Sequence, residues 1–190
     1  MEESYLEQRC VIIGGSAGSL QVVQHILNKL KPGFQLPVII VLHRKTDHTS
    51  GLTDVFNYRS TLPVKEAEDK EIINPGTAYV APADYHLLIE KDLSFSLDGS
   101  EKVHYSRPSI DVSFDAASEA FGAGLIGVLL SGANADGTKG LEIIRAKGGI
   151  SIVQNPASAQ VPFMPKHAIE SGVAGLVMTA EEISEYLNLL

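Results

Sequence analysis

The chain has 190 residues, 44% hydrophobic and 20% charged, with a formal net charge of −8 at pH 7; that is the make-up of an ordinary soluble globular protein, long enough for one domain with a proper core. The acidic balance argues against nucleic acid as the main partner, because phosphate neutralisation needs clustered Lys and Arg and the only short basic cluster is Arg44-Lys45. No apolar run approaches the roughly 18–20 residues that span a bilayer, the acidic start MEESYLEQRC is not a signal peptide, and the single cysteine, Cys10, excludes an internal disulfide or a Cys-rich metal cluster. No membrane insertion and a cytoplasmic location are therefore expected.

From the N-terminus onward, short apolar runs alternate with amphipathic helical stretches. A first strand is expected at about Cys10–Gly14, after which Val23, Ile26, Leu27 and Leu30 follow the i, i+3, i+4, i+7 spacing of a helix. A second strand falls at Pro37–His43. Thr77–Ala83, His86–Glu90 and Ser94–Leu97 stand too close together for helices between them, and they read as strands joined by tight turns, an antiparallel hairpin near a sheet edge. Ile110, Phe114, Ala117 and Phe121 return to helical spacing, with Ser109 as N-cap and Asp111 in the first turn. Further strands are expected at Leu125–Ser131, Ile150–Gln154 and Gly175–Thr179, with Gly148 and Gly172 where helix C-caps fall. The last helix opens on Thr179-x-x-Glu182, a capping box. Strands that are continuous Val/Ile/Leu runs are buried on both faces, as parallel strands are. The expectation is an α/β fold: an open, mostly parallel, doubly wound (Rossmann-like) sheet flanked by helices, with an antiparallel hairpin near one edge. No repeat or linker divides residues 1–190, which read as one domain.

In such a sheet, ligands sit outside the carboxyl ends of the strands. Three of those ends carry reactive side chains: Ser16 within Gly14-Gly15-Ser16-Ala17-Gly18, His43 after Pro37–Leu42, and Asp136 in Ser131-Gly132-Ala133-Asn134-Ala135-Asp136-Gly137. The first segment fits G-x-S-x-G, which places a serine on a tight strand-to-helix turn with its Oγ exposed. The competing reading, a dinucleotide-binding G-x-G-x-x-G turn, fails because Ser16 and Ser19 replace its second and third glycines and His43 stands where an acidic ribose ligand belongs. A metal reading would join His43 to Asp47 and His48, but no further ligand is evident. Together Ser16, His43 and Asp136 supply a nucleophile, a base and an orienting carboxylate, and triads are defined by geometry rather than chain order. The order Ser, His, Asp separates the chain from the α/β-hydrolases, whose acid precedes the histidine.

Further motifs accompany these residues. The Ile-Gly-Gly-Ser-Ala-Gly start, the strand ending in His43, Tyr79-Val-Ala-Pro82 before His86, His104-x-x-Arg107-Pro108-Ser109-Ile110-Asp111 and the Gly132-x-x-x-Asp136-Gly137 loop recur in register. With Gln154-Asn-Pro-Ala-Ser, Met164-Pro165 and Ala168-Ile169, they resemble the catalytic domain of chemotaxis protein-glutamate methylesterases (CheB-type) over nearly the whole chain. Three departures stand out: Ser19 where the family carries Gly, Leu42 and Arg44-Lys45 around His43 where it often carries Gln and Met-Pro, and Gly132-Ala133-Asn134 in place of Gly-Met-Gly. The receiver domain typical of the family has no counterpart in these residues.

The resemblance implies a serine hydrolase that demethylates methyl-glutamate residues of chemoreceptors, with receptor glutamine deamidation as a second activity and no metal or organic cofactor. Ser16, His43 and Asp136 fall on the family's triad. The backbone amide of Ala17 is the first candidate for the oxyanion, and Arg107 for contact with the acidic receptor surface. Arg44 and Lys45 are candidates for steering that surface inward. The expected partners are a methylated chemoreceptor and a receiver domain or other chemotaxis protein. The alternative is a non-catalytic module that binds a receptor or signalling partner on the same fold.

Overall fold

The continuous apolar runs become strands buried on both faces. The computed structural model describes residues 8–44 and 51–190. In chain order these form β1 (Cys10–Gly15), α1 (Leu20–Lys29), β2 (Val38–Leu42), α2 (Leu52–Asn57), β3 (Val64–Glu66), β4 (Ala78–Val80), β5 (His86–Ile89) and β6 (Phe95–Asp98). They continue as α3 (Ile110–Phe121), β7 (Leu125–Leu129), α4 (Thr138–Ala146), β8 (Ile150–Gln154), α5 (Phe163–Glu170), β9 (Leu176–Met178) and α6 (Ala180–Asn188). Every residue of β1, β2 and β7 is buried, as parallel strands covered by helices on both sides must be.

The main sheet has seven strands in the order β3-β4-β2-β1-β7-β8-β9, and its pairings are all parallel. On one side of β1 lie β2, β4 and β3, the chain reaching the edge strand β3 before β4; it then returns to the other side through β7, β8 and β9. The boundary between β1 and β7 is therefore the topological switch point, where a crevice opens at the strand ends. One face is covered by α1, α2 and α6, through Val23, Ile26, Phe56, Ile183 and Leu187. The other is covered by α3, α4 and α5, through Ile110, Phe114, Leu141, Ile144 and Met164. Gly14 and Gly140 allow α3 to seat closely, since a Cβ on either would collide with Ile110 or Phe114.

Caps fall where the sequence placed them. Ser109 caps α3, Thr179 and Glu182 close a capping box on α6, and Gly148 and Gly172 follow α4 and α5 with left-handed φ of 84° and 73°. The strands grouped around residues 77–97 divide differently from expectation. Only β5 and β6 form the antiparallel pair. Residues Ala78–Val80, expected to belong with them, instead lie parallel between β2 and β3, because this short run is apolar on both faces and is buried within the sheet. The edge strand β3 and the six-residue α2 are additions to the sequence reading. The hairpin packs on α3 and meets the sheet near this edge, with Phe95 edge-on to Tyr79 at 4.9 Å.

Candidate active site

Three neighbouring strands deliver the three candidate residues. Gly15 pairs with Leu42 in the β1–β2 register and Gly14 with Leu129 in β1–β7, so Ser16 and His43 are the next residues on adjacent parallel strands, about 4.8 Å apart along the sheet. His43 N donates to Gly15 O at 3.1 Å and Ser16 N to Ser131 O at 2.9 Å, which extends the sheet's order past the last assigned strand residues.

The turn after β1 is held from several sides. Ser131 Oγ donates to Ala17 O at 2.7 Å and accepts from Val161 N. Gln154, buried at the end of β8, accepts from Ser131 N at 2.9 Å. Ser19, buried, donates from its hydroxyl to Ser16 O at 2.6 Å, and the missing Cβ of Gly15 leaves room for its side chain. Ser19 thus fits the turn and adds a bond to the carbonyl of Ser16. On the other side, Gly132 lets the Met164 thioether and the Ser16 Cβ approach together, since a Cβ there would lie 2.5 Å from Met164 Cε and 3.1 Å from Ser16 Cβ.

Asp136 is fully buried, yet five donors converge on its carboxylate. Oδ2 accepts from His43 Nε2 at 2.7 Å and Ile110 N at 2.7 Å. Oδ1 accepts from Ser109 Oγ at 3.1 Å, Asp111 N at 2.9 Å and Gly137 N at 3.0 Å. The carboxylate therefore sits at the N-terminus of α3, where free N–H groups and the helix dipole favour negative charge. Burial acts to raise its pKa, but the bonds from His43 and from the amides of Asp111 and Ile110 prevail and hold it below the usual range. Asp111 returns the arrangement: its Oδ1 accepts from Gly137 N at 2.9 Å and Gly140 N at 2.8 Å, at the start of α4. Each of the two aspartates thus caps the helix next to the other. Burial, with the nearby Asp136 charge adding to it, pushes the Asp111 carboxyl above its ordinary value.

With Asp136 ionised, the His43 proton between them lies on Nε2, which leaves the lone pair on Nδ1. Among the described residues, His43 is bonded through Nε2, and no hydrogen bond joins Ser16 Oγ to its Nδ1. His104 lies with Asp111 and Asp136 inside a 4.8 Å group of metal-type ligands. The donors already on both Asp136 oxygens and on Asp111 Oδ1 make this a capping cluster rather than a cation site.

The remaining candidates are placed as follows. Ala17 N directly follows the serine and donates to no acceptor among the described residues. Arg107 is turned into the fold: Nε and Nη2 bond Asp84 at 3.2 and 2.7 Å, and Nη1 bonds the carbonyls of Gly99 and Ser100. With its side chain 19% exposed, it fastens the hairpin to the approach of α3 and offers only an outer edge to any ligand. Arg44 is paired with Glu66 at 2.6 Å, which offsets its charge; Lys45, Asp47 and His48 lie outside the described residues. Sequence reasoning quoted Ser131, Gly132, Gln154 and Met164 within its motifs but gave them no part in holding the turn, because that part lies in tertiary contacts.

Residues 11–187 match the sequence model of the family described as CheB methylesterase. The chain belongs to the CheB methylesterase family. A Thermotoga maritima relative named protein-glutamate methylesterase/protein-glutamine glutaminase is 36% identical over 182 residues, covering 94% of this chain and 53% of its own. A Leptospira interrogans relative, provisionally named for the same two activities, is 42% identical over 180 residues, 95% of this chain and 93% of its own. The crystal structure of the T. maritima CheB methylesterase catalytic domain matches with a TM-score of 0.91 at 36% identity, covering 95% of this chain and 97% of that one. The chain thus spans nearly all of one curated CheB relative and about half of the other. Among its described residues no helix is long and apolar enough to cross a membrane.

Proposed function

We propose that this chain is a protein-glutamate methylesterase acting on methylated chemoreceptors in chemotactic adaptation, with Ser16, His43 and Asp136 as its catalytic triad. The observation that carries the reading is the 2.7 Å bond between His43 Nε2 and a buried, ionised Asp136 at the strand end beside Ser16. Ser16 Oγ attacks the ester carbonyl of a methylated glutamate while His43 Nδ1 takes its proton. The oxyanion is held by backbone amides, Ala17 N first among them. The tetrahedral intermediate collapses to the acyl-enzyme, and methoxide leaves as methanol with the proton from His43. Water, deprotonated by His43, then cleaves the acyl-enzyme and releases the glutamate carboxylate and Ser16. Asp136 stays ionised throughout and balances the imidazolium. Attack on a glutamine side chain by the same route releases ammonia, which accords with the second activity in the relatives' names.

A fluorophosphonate separates this from a binding module on the same fold, because it labels only an activated serine. The expected result is one adduct, mapped to Ser16 and abolished in Ser16→Ala. An unlabelled protein, or a label elsewhere, contradicts the triad.

A further inference from the structure

The two-stranded sheet reaches the triad through one buried histidine. His86, on β5, is 1% exposed, and both its ring nitrogens are engaged. Nε2 bonds Glu101 O at 2.9 Å, and Nδ1 accepts from the backbone N–H of Ser109 at 3.1 Å. These partners assign the proton to Nε2 and a lone pair to Nδ1. Ser109 is the N-cap of α3, and its hydroxyl donates to Asp136 Oδ1. The next two amides, of Ile110 and Asp111, are the other donors that α3 gives Asp136.

We propose that His86 is a positioning residue for the catalytic carboxylate: by holding the Ser109 amide, it sets the start of α3 and so aims three of the five donors on Asp136. The proposal rests on the hydrolase reading of Ser16, His43 and Asp136. Helix starts fray by nature, because their first amides lack partners within the helix. Here the first turn must hold its place to within fractions of an ångström, since a misplacement of about 1 Å far from the chemistry costs on the order of 10²-fold in rate. A bond to the backbone at the cap position resists that fraying where a solvated side chain would not. The hairpin that carries His86 is itself anchored. Ser113 Oγ on α3 donates to Leu87 O at 2.8 Å, and Arg107, on the approach to α3, bonds the carbonyls of Gly99 and Ser100 just past β6.

Two polar substitutions separate positioning from simple filling of the core. In His86→Asn the side-chain oxygen reaches the place of Nδ1 and can still accept from Ser109. In His86→Gln the amide reaches the place of Nε2 and can keep only the Glu101 contact. With wild type as the control for activity itself, kcat and KM for methanol release from methylated receptor are measured in both variants. The far-downfield proton resonance of the His43–Asp136 bond is followed by NMR. The expected result is that kcat falls roughly 10²-fold in His86→Gln and much less in His86→Asn, with KM little changed. The downfield resonance is expected to be retained in His86→Asn and shifted or lost in His86→Gln. With an active wild type, equal rates in the two variants overturn the proposal, and an unmoved resonance in His86→Gln overturns it in either case. An inactive wild type that keeps the resonance, and loses it only in His86→Gln, contradicts the hydrolase reading while leaving the positioning role standing.

Discussion

Five hydrogen bonds on two oxygens make Asp136 the residue on which the site depends. Its depressed pKa is also a statement about stability. A carboxyl whose folded value lies below its unfolded value of about 4 contributes stability that is full above that pH and is lost as pH falls through the folded value. Asp136→Asn removes that contribution and leaves amide hydrogens facing amide donors. The variant should therefore be less stable than wild type at neutral pH, with the gap closing below about pH 4. Denaturant midpoints of both proteins across pH 2.5–7 check this, and a gap that is flat or widens in acid contradicts it. Its rate should fall by about 10⁴-fold, the scale on which triads lose their orienting carboxylate. The sequence made Ser16, His43 and Asp136 visible because each lies on the turn or loop that follows an apolar run. It could not show that His43 meets Asp136 through Nε2, that His86 is buried with both ring nitrogens bonded, or that Arg107 is turned inward. Those facts depend on carbonyls and amides, such as Glu101 O and Gly99 O, that carry no signature in the sequence.

Among the secondary-structure elements, local signals and tertiary contacts contributed unequally. Caps were legible because their chemistry is local: Ser109, Thr179-x-x-Glu182, Gly148 and Gly172 all stand where the helices start or stop. The capping box of α6 gives a clean test, since this helix covers the face of the sheet opposite α3, α4 and α5. Thr179→Ala should cost about 1 kcal/mol of stability and leave the hydrolysis rate unchanged, as denaturation midpoints and initial rates will show; a drop in rate would mean that α6 reaches the site. The short elements were not legible. Val64–Glu66 is three residues with two charges, and its strand character comes from pairing with β4 rather than from its own pattern. Ala78–Val80 was misgrouped because sequence spacing places it beside the hairpin, whereas both its hydrogen-bonded neighbours, β2 and β3, precede it in the chain.

For the whole molecule, the alternation of apolar runs and helices was sufficient for a doubly wound sheet, but not for strand order. That β2, β1 and β7 are neighbours is what turns three separate strand ends into one site, and it follows from the crossovers on both faces rather than from any single segment. The same order places the site at the switch point and leaves the second face to α1, α2 and α6 as support. The central claim is that this arrangement hydrolyses methyl esters of receptor glutamates. It is tested most directly by methanol release from methylated receptor, measured with wild type and with Ser16→Ala side by side. Release by wild type, reduced roughly 10⁴-fold or more by the substitution, is the predicted result; wild-type release no greater than that of Ser16→Ala would contradict it.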